Sequence, residues 1–462
     1  MTADADSRTR RGAEPAPPRR RHWWRWVGRV VAVLGVAALL TFWWTTLRLA
    51  EPASWPPPSA AISAADSVRA TAAFAARSHP SVGDLDMRYG WSTAASIEPL
   101  PEGRRFFPRM LADIRAARSS IHLMQFGFRP GRVGGAFAAA LEDALARGVE
   151  VRLVVDGYGS RISGGSRVMY DRLASAGAQI VVNDAVGLPR TGLWRDRSLA
   201  WSLAQFGHPE HRKMLIVDGR IAYIGGAGIE DHFMNGGFYD VMVRVTGDVV
   251  RQLQSVFLTT FRAHGGPLPA TEAGLSRYFP VPADPGEKPV VVVGTKHARD
   301  VSALEVCRRL IDGARRRLDL TGPYLTDDDL IDRIAAAARR GVAVRLLVSK
   351  HSNSAVHDAA LRRHYSELLA AGVQIWEYPH AVMHGKVLLA DDTVLVGTVN
   401  LDDWSLYRSN EVALLIEDGA TAELVERRLF LPCMAVSHPA EAPSGAWTRL
   451  IDWLADQLSY FL

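Results

Sequence analysis

In the region that follows residue 100, segments whose apolar residues recur with the period of a helix alternate with segments that have the period of a strand. The periods predict three helices and three strands in alternation: helix Phe106–Ala117, strand Ile121–Phe126, helix Val133–Arg147, strand Val149–Asp156, helix Val168–Ala176 and strand Gln179–Val182. Strands that alternate with helices are typical of a mostly parallel sheet covered by helices. The pattern therefore predicts an α/β fold.

The same order of elements occurs a second time. RRGVAVRLLVSK at Arg339–Lys350 echoes ARGVEVRLVVDG at Ala146–Gly157, and AAGVQIWEY at Ala370–Tyr378 echoes SAGAQIVVN at Ser175–Asn183. A fixed offset between similar segments is the signature of an internal duplication. Proline and glycine are frequent in Gly265–Lys288, which we interpret as the linker between two halves.

Each half contains one copy of the pattern HxKxxxxD between two runs of β-forming residues. The two copies consist of His211, Lys213 and Asp218, and of His384, Lys386 and Asp391. Side chains two apart on a strand project to the same face, so each copy places an imidazole beside a fixed cation. Ordinary surface ion pairs are a minor alternative, because the pattern occurs twice in the same predicted context.

These residue types suit the cleavage of a phosphodiester. The reaction needs a nucleophile for phosphorus, an acid for the leaving oxygen and positive charge near the phosphoryl oxygens. Two histidines can share the first two tasks because imidazole titrates near neutral pH, and Lys213 and Lys386 can supply the charge. Asn400 and the backbone amides of the Gly397 turn add fixed donors. One histidine in each half predicts a single site between the halves.

On these residues the chain resembles the phospholipase D superfamily. The second copy, HGKVLLAD followed by GTVNLDDWS, is similar to bacterial cardiolipin synthases, and the likeness covers nearly all of residues 100–462. The resemblance implies two duplicated α/β/α repeats packed about a pseudo-twofold axis, predicted over residues 96–264 and 289–446. It also implies a site between them that uses no metal ion and no other cofactor.

The resemblance assigns roles to residues of this site. It implies that His211 is the nucleophile, which forms a phosphohistidine, and that His384 is the general acid and then the base. The residues by themselves leave open which histidine attacks. The resemblance also places an acidic residue after each turn to orient the histidine, which gives Asp240 to His211 and Glu411 to His384.

The aspartates that end the two motifs are expected to stabilise the strand–turn geometry rather than to react. These are Asp218 and Asp391. The interval from Asp391 to the turn glycine Gly397 is one residue shorter than the corresponding interval of the first copy, so Asp392 is an alternative turn residue.

Three positions depart from the pattern of the family. Gly228 stands where the first turn would carry Asn, Trp404 where such enzymes carry Arg, and Ser409 where they carry Asn. Loss of one oxyanion donor can lower a rate by about 10²–10³-fold. A degenerate member that acts as a lipid-binding scaffold is therefore an alternative to an active enzyme.

An uncharged apolar segment near the N-terminus, Val30–Leu47, is long enough to cross a bilayer as a helix. Eight arginines precede it, so the positive-inside rule places residues 1–29 in the cytoplasm and the catalytic region on the other side of the cell membrane. A cleaved signal peptide is the alternative. Residues 48–95 are expected to form a linker, since they contain a stretch rich in proline and alanine.

Two other apolar segments bear on the substrate. The first half carries an extra loop, Asn183–Gly207, whose apolar side chains suit either a lid that faces lipid or a small satellite core. Residues 447–462 are expected to form an amphipathic helix with an apolar stripe through Trp447, Leu450 and Leu454. We expect this stripe to pack on its own domain, because the polar face lacks the basic residues of helices that bind membranes.

Composition and charge narrow the function classes. The 462 residues are 48% hydrophobic and 22% charged, which is ordinary for globular domains. The net charge of +5 is mild and its basic cluster precedes the apolar segment, so no nucleic-acid partner is expected. Cys307 and Cys433 could form a disulfide or remain as buried thiols.

The leading hypothesis is a membrane-anchored phosphatidyltransferase of cardiolipin synthase type. Phosphatidylglycerol would be the donor of the phosphatidyl group and a second phosphatidylglycerol its acceptor. Two alternatives stay open within the same superfamily: hydrolysis of phospholipids, with water as the acceptor, and cleavage of a nucleic-acid phosphodiester, which would call for a basic groove lined by aromatic residues.

Overall fold

The computed structural model describes residues 90–162, 165–183, 209–296 and 300–459. The helices in these ranges include none with the length and apolarity that a bilayer crossing requires. The predicted membrane segment Val30–Leu47 lies outside the described residues, and so does all of the apolar loop Asn183–Gly207 except its first residue.

The first half is built on a seven-stranded mixed sheet. The strands up to residue 246 are β1 Ser92–Ala94, β2 Ser96–Pro101, β3 Ser120–Gln125, β4 Glu150–Asp156, β5 Gln179–Asn183, β6 Met214–Val217, β7 Ile221–Gly225, β8 Phe238–Tyr239 and β9 Val241–Thr246. The helices are α1 Gly103–Ala116, α2 Arg132–Ala146, α3 Gly165–Ser175, α4 Asp231–Met234, α5 Val249–Ala263 and α6 Glu272–Ser276. The sheet has the order β2-β9-β7-β6-β3-β4-β5.

The second half is built on a nine-stranded mixed sheet. Its nine strands are β1 together with β10 Lys288–Thr295, β11 Arg317–Thr321, β12 Ala343–Ser349, β13 Gln374–Tyr378, β15 Lys386–Ala390, β16 Thr393–Gly397, β17 Glu411–Glu417 and β18 His438–Pro439, while β14 is Val382–Met383. The helices are α7 Ser302–Gly313, α8 Asp328–Arg339, α9 Ala355–Arg363, α10 Tyr365–Ala370, α11 Gly419–Val425, α12 Leu431–Met434 and α13 Ala446–Ser459, with π-helical turns at Trp404–Arg408 and Glu426–Phe430. The sheet has the order β1-β10-β17-β16-β15-β11-β12-β13-β18, and β14 pairs with β8 in a separate two-stranded sheet.

The two sheets repeat one topology. The order β2-β9-β7-β6-β3-β4-β5 corresponds strand by strand to β10-β17-β16-β15-β11-β12-β13. This correspondence confirms the predicted α/β fold and its duplication. The prediction of a mostly parallel sheet is wrong, because within the two large sheets only β3-β4-β5 and β11-β12-β13 are parallel. The hairpins that carry the two HxKxxxxD motifs pair antiparallel to their neighbours.

The apolar residues form one central core and two outer cores. The central core unites one face of each sheet, with Met124 and Ile216 from the first and Val387 and Val396 from the second, and α5 is buried within it. The other face of each sheet packs against its own helices. Because side chains alternate along a strand, each sheet can fill the central core with one face and an outer core with the other. Cys307 and Cys433 are buried free thiols.

The C-terminal helix α13 is amphipathic as predicted, but its orientation reverses our expectation. Trp447 is 72% exposed and Leu454 is 48% exposed, whereas Asp452 is fully buried. Asp452 accepts hydrogen bonds of 2.6 and 3.2 Å from the Arg362 guanidinium of α9. The expectation that the apolar stripe packs on its own domain is therefore wrong, since ion pairs fix the polar face inward.

Candidate active site

The histidine and lysine of each motif lie where a central strand begins. His211 and Lys213 immediately precede β6, and Lys386 is the first residue of β15, two residues after His384. Both lysines are buried, and each donates a hydrogen bond to the carbonyl oxygen of its own histidine, at 2.5 Å for Lys213 and 2.6 Å for Lys386. Each imidazole is thus backed by a fixed cation, as the spacing predicts.

Each histidine is oriented by a carboxylate from the opposite half. Nδ1 of His211 lies 2.7 Å from Oε1 of Glu411, and Nδ1 of His384 lies 2.5 Å from Oδ2 of Asp240. The sequence-based pairing within halves, Asp240 with His211 and Glu411 with His384, is wrong. Both acidic residues do meet a histidine, but the partners are exchanged, so each half is incomplete without the other.

A short ladder between the halves explains the pair at His384. Strand β8 pairs in parallel with β14, so that Phe238 lies opposite Val382 and Tyr239 opposite Met383. The backbone N–H of His384 then donates to the carbonyl oxygen of Tyr239 at 2.7 Å. The residues that directly follow β8 and β14 are Asp240 and His384, and the pairing of these strands therefore brings them together.

A similar bridge explains the pair at His211. Glu210 and Asn410 form an isolated parallel bridge, and the N–H of His211 donates to the Asn410 carbonyl oxygen at 3.1 Å. The N–H of Asn410 donates in turn to the carbonyl oxygen of Pro209 at 3.0 Å. Glu411, the residue after Asn410, is thereby placed beside His211.

The two carboxylates are held in different ways. Glu411 accepts hydrogen bonds from the hydroxyl of Thr398 at 2.5 Å and from that of Ser405 at 2.8 Å, in addition to its contact with His211. Asp240 accepts from the N–H of Val241 at 2.6 Å. At the turn position of the first half stands Gly226, where a Cβ would lie only 2.6 Å from Oδ1 of Asp240. The Gly-Gly and Gly-Thr turns therefore give the two carboxylates different surroundings.

Burial and the charged neighbours give the two carboxylates different pKa values. Burial raises the pKa of Asp240 to about 7, against the opposing charge of Lys386. Burial would also raise the pKa of Glu411, but His211, Lys213 and the Thr398 hydroxyl outweigh it and lower that pKa. Glu411 is therefore an ionised acceptor at neutral pH, while Asp240 shares a proton with its histidine.

Burial also shifts the basic groups toward their neutral forms. It lowers the pKa of His211 to about 4. Burial, together with the charges of Lys386 and Lys213, lowers the pKa of His384 well below its usual value. The pKa of Lys213 falls to about 7 and that of Lys386 to about 8, both chiefly through burial. The negative charge of a bound phosphodiester would offset the effect of burial on the pKa of both lysines.

Aromatic rings line both histidines. The Phe126 ring contacts His211 edge to face with a centroid distance of 4.9 Å, and Nζ of Lys213 lies 5.0 Å from the centroid of the same ring. Phe233 and Phe238 contact His384 at 5.4 and 5.3 Å. These apolar walls limit the access of water and strengthen the electrostatic interactions inside.

The motif aspartates lie away from the histidines and stabilise strand starts, as expected. Asp218 accepts hydrogen bonds from the backbone N–H groups of residues 118–120, and Asp391 accepts from those of residues 315–317. Both adopt a positive φ, 54° and 52°. Asp392 is exposed and pairs with Arg316, so Asp391 is the turn residue of the second motif.

Glu230 explains the departure at Gly228. A Cβ at Gly228 would lie 2.6 Å from Oε2 of Glu230, so the carboxylate occupies the space that a larger side chain would need. Glu230 is paired with Arg129 at 2.7 Å, and burial raises its pKa. In the second half Asn400 is buried, and its Oδ1 has no hydrogen-bond partner among the described residues.

The other two departures lie on or beside the π-helical turn. The Arg408 guanidinium lies 5.5 Å from the centroid of the Trp404 ring, so these two side chains of the turn lie against each other. Ser409 is buried, and its N–H donates to the carbonyl oxygen of Trp404 at 2.7 Å.

Sequence reasoning missed four residues that shape the site. Thr398 and Ser405 donate hydrogen bonds to Glu411. Glu210, the residue before His211, and Asp156 are both buried, and the N–H of Glu210 donates to Asp156 at 3.0 Å. A local signal existed for Thr398 and Ser405, which lie within the segment that contains the second motif. Glu210 precedes the first motif directly, but no pattern in the sequence marks a buried carboxylate there.

Comparison with known proteins agrees with this architecture. The family model described as "Cardiolipin synthase, PLD-like domain" matches residues 110–260 and 307–429. Cardiolipin synthase 1 of Staphylococcus aureus is 29% identical over 335 residues, which cover 71% of this chain and 65% of the relative. Cardiolipin synthase A of Buchnera aphidicola is 26% identical over 377 residues, which cover 79% of this chain and 74% of the relative. The chain thus spans about two thirds to three quarters of the length of these relatives.

A solved structure shares the fold. Phosphatidylserine synthase of Haemophilus influenzae superposes with a TM-score of 0.60 and 13% sequence identity, over 80% of this chain and 97% of that protein. At this identity the likeness establishes the common fold and leaves the choice of substrate to the chemistry of the site.

Proposed function

The chain belongs to the family of cardiolipin synthase, phospholipase D-like domains, and from that premise we propose that it is a phosphatidyltransferase. The proposed donor is phosphatidylglycerol, and the proposed acceptor is the hydroxyl of a second phosphatidylglycerol. The reciprocal pairs His211–Glu411 and His384–Asp240 carry this proposal, because they supply a nucleophile and a proton donor in one site. Matching strand orders and the exchange of carboxylates also support a pseudo-twofold axis between the repeats.

His211 is suited to the attack on phosphorus. With its pKa lowered to about 4, its imidazole is neutral at physiological pH, and Nδ1–H donates to ionised Glu411. This tautomer leaves the lone pair of Nε2 free to attack. The new N–P bond forms as the P–O bond to the departing glycerol breaks, and Glu411 stabilises the imidazolium-like charge that develops.

His384 and Asp240 are suited to the proton transfers. Below about pH 7 this pair holds one proton more than above it, and that proton can pass through Nε2 of His384 to the leaving glycerol oxygen. In the second step the pair accepts the proton of the acceptor hydroxyl. The acceptor oxygen then bonds to phosphorus, the N–P bond breaks, and its electron pair returns to His211.

The fixed cations are suited to the phosphoryl oxygens. Lys213 and Lys386 carry charge in a buried environment, where an ion–ion interaction is stronger than in water. Asn400 adds a donor through its side-chain N–H₂ group. Such preorganised donors stabilise the charge that develops in the transition state.

We further propose that Val30–Leu47 anchors the chain in the cell membrane, with residues 1–29 in the cytoplasm and the catalytic region on the opposite side. The uncharged length of the segment and the arginines before it support this topology. Reporters fused after Leu462 test it: a periplasmic-type reporter should be active, and activity of only a cytoplasmic reporter would refute it.

The decisive experiment supplies the purified full chain with phosphatidylglycerol and resolves the products by mass. Cardiolipin together with an equal amount of glycerol is the expected result, with and without EDTA. Phosphatidic acid as the main product would identify water as the acceptor and make the protein a phospholipase D. No product, or loss of activity in EDTA alone, would contradict the mechanism based on histidine and lysine.

A further inference from the structure

The C-terminal helix α13 presents an apolar face to solvent although it is fixed to the domain. Its exposed side chains lie on one side of the helix: Trp447, Leu450, Ile451, Trp453 and Leu454. Each is between 44% and 72% exposed, and together they form the largest cluster of exposed large apolar side chains among the described residues. Single exposed apolar residues need no explanation, but a contiguous group indicates a binding surface.

The opposite face of α13 is anchored by charge. Asp452, which is fully buried, forms a two-point ion pair with Arg362, and Asp456 pairs with Arg363 at 2.5 Å. His364 lies 3.4 Å from the same Asp456 carboxylate. A buried carboxylate with a bidentate arginine fixes the rotation of a helix, because turning the helix over would leave both charges unpaired. The apolar face is therefore held outward by the fold.

We propose that this face of α13 is a membrane-docking surface that lies on a lipid bilayer. Lipid contact disfavours helices with an acidic polar face, but here both aspartates are turned inward and neutralised by arginines. The one basic residue of the helix, Arg449, is exposed at the boundary of the apolar face, where it can reach lipid phosphates. Two tryptophans flank the leucines, and tryptophan favours the membrane–water interface.

A second copy of the chain fits this surface less well than a bilayer does. Stable protein–protein interfaces bury about 800 Å² on each partner, from about 20–30 residues a side. The exposed apolar face of α13 has five such side chains on a single helix. A bilayer has no such minimum area, since amphipathic helices bind it through apolar contact and charge alone.

Helix α13 is also connected to the proposed site through α9. Helix α9, against which α13 is anchored, begins six residues after Ser349, the last residue of β12. The Ser349 hydroxyl accepts a hydrogen bond of 2.8 Å from the N–H of Met383, the residue before His384. The docked helix is therefore anchored to the helix that follows β12, the strand whose last residue contacts the residue before this histidine.

A fluorescence quenching experiment on the full chain tests the proposal without requiring turnover. The two native cysteines are buried, so an environment-sensitive fluorophore can be attached to Trp453→Cys alone. The labelled protein is reconstituted in phosphatidylglycerol vesicles with plain or brominated acyl chains. Brominated chains should lower the emission at position 453 by at least about twofold, because the interfacial position of such a helix is at the acyl boundary. A fluorophore at Val168→Cys, which is 67% exposed in the other half, should change little.

Matched variants distinguish docking through α13 from nonspecific binding to the vesicles. Leu450→Ser with Leu454→Ser should abolish most of the quenching at position 453. Leu431→Ser with Val436→Ser, two residues each 46% exposed outside α13, should leave it unchanged. Equal emission in both lipids, equal quenching at positions 453 and 168, or cross-linking of two chains through position 453 in place of quenching would each overturn the proposal.

Discussion

The two half-sites contain the same types of residue, but the carboxylates that orient their histidines differ in pKa. Around His211, the charges of His211 and Lys213 and the hydroxyl of Thr398 lower the pKa of Glu411 against burial, and the Ser405 hydroxyl also donates to this carboxylate. Around His384, the Gly225-Gly226 turn offers no side-chain donor, and burial raises the pKa of Asp240 to about 7. A duplicated scaffold can thus give two histidines different tasks by changing the surroundings of the carboxylate behind each one.

The largest effect is expected from removal of either histidine. With phosphatidylglycerol, His211→Ala and His384→Ala should each lower turnover by at least about 10⁴-fold, because each removes a group that acts in both steps. A nitrophenyl phosphodiester, whose leaving group needs no proton, should distinguish the two variants. His384→Ala should then form the phosphohistidine and accumulate it, and His211→Ala should form no adduct.

Intact-protein mass spectrometry after quenching without acid detects this adduct. The double variant should show none. An adduct on His384 in the His211→Ala protein would reverse the roles of the two half-sites, while both histidines would remain part of the mechanism.

Exchange of each carboxylate for an amide should have the next largest effect, about 10²–10³-fold on turnover of the lipid. Glu411→Gln should slow adduct formation with every leaving group, since Glu411 supports the nucleophile. Asp240→Asn should slow the reaction of phosphatidylglycerol much more than that of the nitrophenyl ester. Single-turnover rates with both substrates check this, and Glu417→Gln, at the exposed end of the same strand as Glu411, is the control. The opposite pattern would indicate that orientation occurs within each half.

The pH dependence should reflect both half-sites. His211 stays neutral down to about pH 4, where protonation removes the nucleophile and activity falls. Above about pH 7 the Asp240–His384 pair loses the acidic proton and Lys213 loses its charge, and Lys386 follows at about pH 8. We expect kcat/KM to fall by more than about tenfold per unit above pH 7, because two groups lose a proton there, and more steeply still above pH 8.

A measurement with a second substrate shows which groups cause the fall in activity at high pH, the alkaline limb of the profile. With the nitrophenyl ester, adduct formation needs no acid, so the part of the limb due to Asp240–His384 should disappear and the part due to the lysines should remain. An unchanged profile with this ester would assign the whole limb to the lysines and contradict the role of the pair.

The smallest effect on catalysis should come from the motif aspartates. Asp218→Asn and Asp391→Asn keep a residue that tolerates positive φ but weaken the hydrogen bonds to the strand starts. Each should lower the free energy of unfolding by about 1–3 kcal/mol and change kcat by less than about twofold. Asp218 also accepts from the Ser119 hydroxyl, so its loss should cost more.

Thermal unfolding in detergent measures this effect. Backbone hydrogen bonds lower the pKa of both carboxyls, against burial, so the fold favours their ionised forms. The stabilisation is therefore present at neutral pH and is lost as the pH falls through the lowered pKa. A large loss of kcat at full stability would place an aspartate in the chemistry.

The sequence by itself determined the elements, the duplication and the two histidine–lysine pairs. These features are local: the periods of helices and strands span a few residues, and residues two apart at a strand start share a face. The predicted bounds of the elements differ little from the observed ones: α1 and α3 each begin three residues before the predicted start. The turn role of Asp218 and Asp391 was local in the same sense.

Only the tertiary structure decided which carboxylate serves which histidine. The partners are 144 and 200 positions apart, and two bridges between the halves bring them together. The orientation of α13 was decided in the same way. Its sequence gives two possible faces for burial, and the arginines of α9 select the acidic face because a buried carboxylate needs a charged partner.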